Sequence, residues 1–407
     1  MRKLFGLSVA LLTLSILVVA TATQADSQTL RPEVGKPLQA AQDDLKGKKY
    51  SDAYVRIDEA EKVGNLSPYE KYTVARMRAA AAIGAGDNAK AAQSYEAVLA
   101  SGQSPASDLV KIDTTIVQLY YRAQSYPKAI EALQRYKTDG GNDPQILSLY
   151  PQALYLQGKY AEAATEIKVQ IAAREKAGEA PSEQELQLLA SCALKQDDTA
   201  GYVAALEKLV AYAPKKSYWA DLIARTQGKG GFSDRFSLDA DRLRVATDNL
   251  DSTQDYVEMV QLALQAGQPG EAQTLLNRGF AKGVLGAGAE AERHQRLKAL
   301  VEKSVTEDKA SLSQGSSQAA ALPNGDGLIN TGLDFIAYGE LDKGVELIDQ
   351  GVKKGSFKRA DEALLHAGYG YYVAGKGDKA IQTFKLVQGT DGSADLARLW
   401  GIVARHH

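Results

Sequence analysis

The sequence predicts an all-α protein, an α-solenoid of stacked antiparallel helix pairs with a flexible linker before a C-terminal helical module. Three observations predict it. Alanine, leucine, glutamine, lysine and glutamate dominate after the first 25 residues and runs of β-branched residues are scarce, so helix is the favoured local state. A short turn of the form G-x-Y-x-x-A, or a variant of it, recurs along the chain. Neighbouring turns are nearly evenly spaced, which is typical of repeat architectures.

The recurring turn marks the junction between two predicted helices. A glycine or polar residue ends one helix, and a small residue early in the next lets the two helices cross closely. The turns are KGKKYSDA near residue 48, GDNAKAA at 86, QSYPKAI at 124, GKYAEAA at 158, GQPGEAQ at 267, GELDKGV at 339 and GKGDKAI at 375. Most adjacent turns lie about 34 to 38 residues apart, and the two larger gaps, from 158 to 267 and from 267 to 339, are close to three and two multiples of that spacing. We expect a weak turn near Asp197, and helix-rich sequence near residues 232 and 303, to occupy the missing registers.

The stretch LSLYPQALYLQGKYAEAATEI matches a known repeat best, with Tyr150 and Leu154 facing inward, Gly158 in the turn and Ala163 at the crossing. The last unit has the same pattern in Gly368, Tyr371, Gly375, Ala380 and Phe384. Together with the spacing, these residues resemble the tetratricopeptide repeat (TPR) of exported bacterial proteins, a 34-residue helix–turn–helix unit. The resemblance covers most of the chain, although the family's tryptophan position is not occupied by tryptophan. It implies a superhelical array that binds proteins or peptides.

The first 25 residues are typical of a secretory signal peptide. Arg2 and Lys3 precede an apolar run from Leu4 to Ala20, and small residues follow, with cleavage expected after Ala22 or Ala25. The alternative is an uncleaved inner-membrane anchor, because the run is nearly long enough to span a bilayer. We interpret it as cleaved, and no other stretch is apolar enough to span a membrane.

Composition divides the remaining chain. We expect an N-terminal TPR-like array over residues 26–227 and central degenerate helical repeats over 228–305, separated by the glycines of TQGKGGFSDRFS. A Ser-, Gln-, Ala- and Gly-rich segment predicts a flexible low-complexity linker over 306–327. C-terminal TPR-like repeats follow over 328–407, ending in a capping helix. The apolar side of that helix carries Leu396, Leu399, Trp400 and Val403.

One motif resembles a nucleotide site. Residues 370–377, GYYVAGKG, are one position away from a phosphate-binding loop, but Gly377 stands where the magnesium-binding Ser or Thr is required. The residues before it have helical spacing, whereas a phosphate loop follows a strand. We interpret the segment as a helix end, a turn and a helix start.

The sequence contains no recognisable catalytic or metal-binding motif, so we predict a non-enzymatic protein without a cofactor. Cys192 lies among small apolar residues and is expected to be a buried structural thiol. The four histidines lack metal-ligand spacing, and no G-x-S-x-G motif is present. They are His294, His366, His406 and His407. The net charge of −2 argues against nucleic acid as a partner, because nucleic-acid binding requires clustered cations.

The TPR resemblance implies a partner-binding groove along the first helices of the pairs. Carried over by register, the groove residues are Arg76, Gln118, Tyr121, Arg122, Gln152, Tyr155, Tyr369 and Tyr372. Twenty tyrosines against seven phenylalanines favour recognition, since tyrosine combines contact area with a hydrogen-bonding hydroxyl. Tyr50, Tyr126, Tyr160 and Tyr371 are instead expected to pack between helices.

These observations favour a periplasmic scaffold that binds a protein or peptide of the cell envelope. Two alternatives remain open at this stage. One is an adaptor anchored in the inner membrane by the uncleaved N-terminal segment. The other is a ligand carrier or enzyme with a cleft at the glycine-rich bend over residues 228–232.

Overall fold

The computed structural model describes residues 29–406, and these residues form helices and turns without a strand. The predicted signal segment and His407 lie outside the described residues. The helices are α1 (Pro32–Lys46), α2 (Tyr50–Lys62), α3 (Pro68–Gly84), α4 (Asn88–Ala100), α5 (Ala106–Arg122), α6 (Tyr126–Thr138), α7 (Pro144–Leu147), α8 (Leu149–Leu156), α9 (Tyr160–Lys176), α10 (Glu183–Lys195), α11 (Thr199–Tyr212), α12 (Lys216–Gln227), α13 (Ser237–Ala246), α14 (Thr253–Gln265), α15 (Pro269–Ala281), α16 (Ala291–Ala321), α17 (Asp326–Ala337), α18 (Leu341–Lys354), α19 (Ala360–Val373), α20 (Gly377–Phe384) and α21 (Ser393–Val403).

Consecutive helices pack as pairs joined by short turns, so the two helices of a pair run antiparallel. The pairs are α1–α2, α3–α4, α5–α6, α8–α9, α14–α15, α17–α18 and α19–α20. Successive pairs also pack on each other, as α2 does on α3, α4 on α5 and α6 on α8. This confirms the predicted all-α array of stacked antiparallel helix pairs.

The predicted turns all contain a residue with left-handed backbone. These residues are Lys48, Gly86, Gln124, Gly158, Asp197, Gly267, Gly339 and Gly375. The next amide donates to the carbonyl five residues back, for example Asp87 N to Ala82 O at 2.9 Å. Such bonds satisfy carbonyls that the helix end leaves unpaired. The weak turn near Asp197 is therefore confirmed, whereas the register expected near residue 303 is wrong because that residue lies inside α16.

Small residues allow close crossing where the pattern requires them. A Cβ on Gly84 would lie 2.1 Å from the Tyr50 ring, and a Cβ on Gly368 would lie 2.4 Å from the Phe384 ring. Tyr50, the first residue of α2, therefore packs against the following helix α3, and so between helices as expected. Ala163 at the best-matching repeat is fully buried.

The described chain forms two compact units. Unit 1 runs to Ala180 and includes Ser191–Asp198, and unit 2 comprises Pro181–Ala190 and the chain from Thr199 onward. The predicted boundary at residues 227/228 thus lies inside unit 2. In unit 1 apolar residues of α1 to α8 form the core, and in unit 2 the larger core cluster comes from α13 to α16.

The expectation of a flexible linker over residues 306–327 is corrected. Residues up to Ala321 continue α16, and only a short turn separates it from α17. Leu312 and Ala319 of α16 are buried against α17 and α18, and Tyr338 donates a 2.7 Å hydrogen bond to Asp308. Tertiary packing therefore holds as helix a sequence whose composition is typical of a linker.

Candidate protein-binding surface

Helix α3 places three side chains of unit 1 on one side. The rings of Tyr69 and Tyr72 stack with centroids 6.4 Å apart. The Arg76 guanidinium lies 5.4 Å from the Tyr72 ring centroid and donates a 3.3 Å hydrogen bond to its hydroxyl. Their spacing of three and four residues explains this, because such residues share a helix face. Of the three, the sequence prediction named only Arg76.

Helices α5 and α8 bring the next predicted residues together. The Tyr121 hydroxyl on α5 donates to Oε1 of Gln152 on α8 at 3.1 Å. Tyr121 also packs edge-on against Tyr126 with centroids 5.7 Å apart, and Tyr155 does the same with Tyr160 at 5.1 Å. Tyr126 and Tyr160 begin the second helices of their pairs, so they support the first-helix tyrosines from the side, as expected.

We call this set of unit 1 residues the tyrosine face. It consists of Tyr69, Tyr72, Arg76, Gln118, Tyr121, Arg122, Gln152 and Tyr155. Arg122 is exposed, and the other seven side chains are half-buried. The set carries two guanidinium groups, two amides and four phenol rings without a carboxylate. It can therefore offer ring contacts and hydrogen-bond donors to an extended partner segment.

Burial shapes the chemistry of these phenols. Burial, and then the neighbouring Tyr126, raises the pKa of Tyr121 above its usual value. Burial also raises the pKa of Tyr95 on α4, and the positive charge of Arg76 opposes this rise. These phenols are neutral hydrogen-bonding groups at physiological pH, because their pKa values lie above that of free tyrosine.

The other side of α3 lines a cleft of about 890 Å³ between α2, α3 and α4. Arg78 lies there and pairs with Asp58 at 2.7 Å and Glu61 at 2.8 Å. Lys90 lies over the Tyr54 ring, 5.7 Å from its centroid. None of the predicted groove residues lines this cleft. Its charged groups pair with one another, so the cleft differs from the tyrosine face in chemistry as well as in position.

In unit 2, the predicted residues Tyr369 and Tyr372 are engaged by the chain itself. The Tyr369 hydroxyl donates to Oε1 of Glu271 on α15 at 3.2 Å, and the Arg242 guanidinium of α13 lies 4.5 Å from its ring centroid. Both tyrosine rings pack on Trp400 of α21. The ring centroids of Tyr369 and Tyr372 lie 5.3 and 5.0 Å from that of Trp400. Both tyrosines are half-buried, and their rings are held by these contacts within unit 2. The predicted capping helix covers them.

Arg242 is the centre of what we call the buried charge cluster, which consists of Asp239, Arg242, Glu271, His366 and Tyr369. Arg242 binds Glu271 through two nitrogens at 2.9 and 2.6 Å and Asp239 at 2.7 Å. His366 Nε2 lies 3.3 Å from the second oxygen of Asp239. Sequence reasoning missed this cluster, because LDADRLR has the composition of a solvated helix face.

The electrostatics of the cluster favour its charged form. Burial raises the pKa of Asp239, but His366 and Arg242 lower it more, and the pKa lies below its usual value. Burial lowers the pKa of Arg242, but Glu271 and Asp239 outweigh it, and the pKa lies well above the usual range. The Arg242 and Asp239 side chains are only 2% and 3% exposed. Removing one partner would therefore leave a buried charge unpaired.

The pKa of a neighbouring carboxyl, that of Asp334, is shifted in the opposite direction to that of Asp239. Burial, and then repulsion from Asp308 and Glu271, raises the pKa of Asp334 to about 8. Its Oδ1 is buried without a hydrogen-bond partner among the described residues. Asp334 is therefore largely protonated at neutral pH.

The glycine-rich bend over residues 228–232, considered as a cleft, is covered by the turn before α21. Ser233 N donates to Asp391 O at 2.9 Å, Lys229 pairs with Asp395 at 2.7 Å, and Arg235 pairs with Asp391. The Phe232 ring fills the space at Gly392, where a Cβ would lie 2.5 Å from it. The charged groups of the bend therefore pair with the C-terminal segment, which offers no support for a ligand cleft there.

The remaining candidate groups have structural settings. Cys192 is buried, and burial raises its pKa to about 11, which is unlike a nucleophilic thiol. Over residues 29–406, no three His, Cys, Asp or Glu side chains are arranged to hold a metal ion. In the same part of the chain, none of the helices has the length and apolar character needed to cross a bilayer.

Comparisons with known proteins give only distant likenesses. No family model matches the sequence, and no curated protein matches it. The yeast Sti1 TPR2AB domain is similar, at 15% identity and a TM-score of 0.32, covering 66% of this chain and 98% of that one. A TPR protein from Parabacteroides merdae is 11% identical with a TM-score of 0.31, covering 83% and 99%. Yeast Tom70 is 12% identical with a TM-score of 0.25, covering 92% and 96%. These values carry no argument about function, and the fold rests on the helix pairs and turns described above.

Proposed function

We propose that the protein is a non-enzymatic scaffold whose tyrosine face binds an extended segment of a protein partner. The observation that carries the proposal is that three first helices, α3, α5 and α8, each contribute tyrosine to this face, with α5 and α8 joined by the Tyr121–Gln152 hydrogen bond. Tyrosine and arginine are enriched in interfaces because they combine large contact area with hydrogen bonding.

The proposal extends to location. The signal-like residues 1–25 support export, so the partner would be a protein of the cell envelope. The alternative of an inner-membrane anchor predicts a different N-terminus. The intact mass of the exported protein distinguishes them, because cleavage after Ala22 or Ala25 removes the apolar run.

The binding role is tested by affinity capture from crosslinked envelope extract. The wild type is compared with the variant Tyr121→Ala/Arg122→Ala/Tyr155→Ala. A matched control, Lys168→Ala/Val169→Ala, changes exposed residues of α9 outside the tyrosine face. Circular dichroism shows whether each variant keeps its helix content.

We expect one envelope protein to be recovered by the wild type and the control, and to be lost from the folded triple variant. Equal recovery by all three proteins would place the binding surface elsewhere. Recovery of no partner by the wild type would contradict the scaffold role.

A further inference from the structure

A separate cavity of about 230 Å³ lies in unit 2 between α14 and the start of α16. Its lining comprises Val257, Gln261, Arg293, His294, Arg296, Leu297 and Leu300. Pockets for drug-sized ligands are typically about 300–1,000 Å³. The size of this cavity therefore suits a smaller molecule.

The loop before α16 fixes the imidazole of His294. Gly286 N–H donates a 3.1 Å hydrogen bond to His294 Nδ1. Gly286 has a φ of 85°, and a Cβ there would lie 2.5 Å from the Phe280 ring, so glycine is required for this approach. His294 is only 2% exposed although it lies in a charged stretch of sequence.

This hydrogen bond determines which imidazole nitrogen carries the proton. Because Nδ1 accepts from Gly286, the neutral ring carries its hydrogen on Nε2. Nε2 has no hydrogen-bond partner among residues 29–406. Nε2 is not one of the fully enclosed unpaired atoms of the described residues, so it can donate to a small molecule that reaches it. Since Nδ1 is turned towards the loop, we place the Nε2–H on the cavity side of the ring.

Two cations border the same cavity. Arg293 pairs with Glu290 at 3.3 Å and Arg296 with Glu292 at 3.7 Å, and all four side chains are largely exposed. Exposed ion pairs of this kind contribute little, so both guanidinium groups can turn to a ligand at small cost.

Three apolar residues also line the cavity. Val257 and Leu297 are buried, whereas Leu300 is 52% exposed at the cavity rim. An exposed leucine alone is unremarkable. Beside the His294 Nε2–H and two cations, it completes an amphiphilic site that is lined by both polar and apolar groups.

We propose that this cavity binds a carboxylate that carries a short aliphatic group. The carboxylate accepts hydrogen bonds from His294 Nε2 and from Arg293 or Arg296, and the aliphatic group packs on Leu297 and Leu300. Such a ligand occurs as a free acid or as the C-terminal residue of an apolar peptide, and both present the same chemistry.

Isothermal titration calorimetry on the full chain tests the proposal, with isovalerate for the free acid and N-acetyl-Gly-Leu for the peptide terminus. Isovaleramide removes the charge and acetate removes the apolar group. We expect a dissociation constant on the order of 1 mM for isovalerate, as is reasonable for so small a ligand. In protein labelled with ¹⁵N-histidine, the His294 Nε2 resonance should shift as isovalerate is added and should saturate at the same ligand concentration as the calorimetric titration.

Three variants locate the site. Arg293→Gln/Arg296→Gln should weaken isovalerate binding about tenfold or more, because charge-assisted hydrogen bonds are lost. Leu300→Ser should weaken isovalerate but not acetate. Lys303→Gln, an exposed cation further along α16, should change binding less than twofold. All four positions are exposed, so the variants are expected to keep the fold.

If N-acetyl-Gly-Leu binds more tightly than isovalerate, the site is supported and its ligand is a peptide terminus. If isovalerate binds more tightly, the site is supported and its ligand is a free acid. Equal binding of isovalerate and isovaleramide would overturn the proposal. So would equal binding of acetate and isovalerate, which would indicate an adventitious ion only, and so would the absence of a saturable His294 shift.

Discussion

The inward tyrosines of the two units occupy comparable places in their helix pairs but have different neighbours. In unit 1, Tyr121 and Tyr155 contact side chains of their own and adjacent helix pairs. In unit 2, Tyr369 contacts Arg242 and Glu271, which come from helices distant in sequence, and both Tyr369 and Tyr372 contact Trp400 of α21. The same repeat pattern thus places half-buried tyrosines in both units, which contact neighbouring helix pairs in unit 1 and the buried charge cluster and Trp400 in unit 2. Register predicts which way a side chain points, whereas the rest of the chain decides what covers it.

The largest expected effect is the loss of Arg242. Arg242→Met should lower the free energy of unfolding of unit 2 by about 3–5 kcal/mol, because Asp239 and Glu271 are left buried without their partner. Both tryptophans, Trp219 and Trp400, belong to unit 2. Urea unfolding followed by tryptophan fluorescence therefore reports on this unit. The matched control is Arg278→Met, whose ion pair with Asp248 is exposed. A loss below 1 kcal/mol for Arg242→Met would mean that the buried charge cluster does not stabilise unit 2.

A pH experiment sharpens the same contrast. The folded-state pKa of Asp334 is raised to about 8, so the folded state keeps a proton that the unfolded state releases near pH 4. Stability should therefore fall as pH rises from about 4 to 8 and level off above that range. Asp334→Asn should remove this dependence and stabilise unit 2 at pH 8 by several kcal/mol, because each unit of the pKa shift corresponds to about 1.4 kcal/mol. Urea midpoints measured between pH 4.5 and 8.5 test this, and parallel pH curves for wild type and variant would contradict it.

Removing single hydroxyls compares the two sets of tyrosines directly. Tyr369→Phe should destabilise by about 1–2 kcal/mol, since its hydroxyl donates to a carboxylate, and hydrogen bonds to charged groups are stronger than neutral ones. Tyr121→Phe should cost less than about 1 kcal/mol, because Gln152 is half-buried and can bind water. Tryptophan fluorescence follows the first variant and circular dichroism the second. Equal losses would show that both tyrosines serve the fold to the same degree.

The smallest effect on stability is expected for Tyr155→Ala, combined with a large effect on binding. Its ring is half-buried against Tyr160, and we expect a loss of about 1 kcal/mol or less in thermal unfolding. Partner binding should weaken at least tenfold if Tyr155 is an interface anchor, as tyrosines often are. A stability loss above 3 kcal/mol would instead assign Tyr155 to the core.

Much of the fold could be predicted from the sequence because its determinants are local. The left-handed turn residues Gly86, Gly158 and Gly375 and the small crossing residues Ala163 and Gly368 each act on the adjacent helix. The linker was mispredicted because the Ser- and Gln-rich part of α16 is held as helix by burial of Leu312 and Ala319, which is a tertiary effect.

The candidate sites were less predictable. Helix register identified the tyrosine face in part and missed Tyr69 and Tyr72, although their spacing to Arg76 is visible in the sequence. The buried charge cluster joins Asp239 to His366 and Glu271 to Tyr369 across about a hundred residues. No local pattern in a single sequence indicates such pairing. The orientation of the His294 imidazole likewise depends on the loop at Gly286, whose N–H donates to Nδ1.

The central claim is that the tyrosine face of unit 1 is the surface that binds the partner. Photo-crosslinking tests it most directly, with p-benzoylphenylalanine placed at Gln118 or Gln152 in the tyrosine face and at Lys168 on α9 as the control. The account predicts one and the same crosslinked partner from both face positions, with little from residue 168. Equal crosslinking from all three positions, or a partner captured only from residue 168, would contradict it.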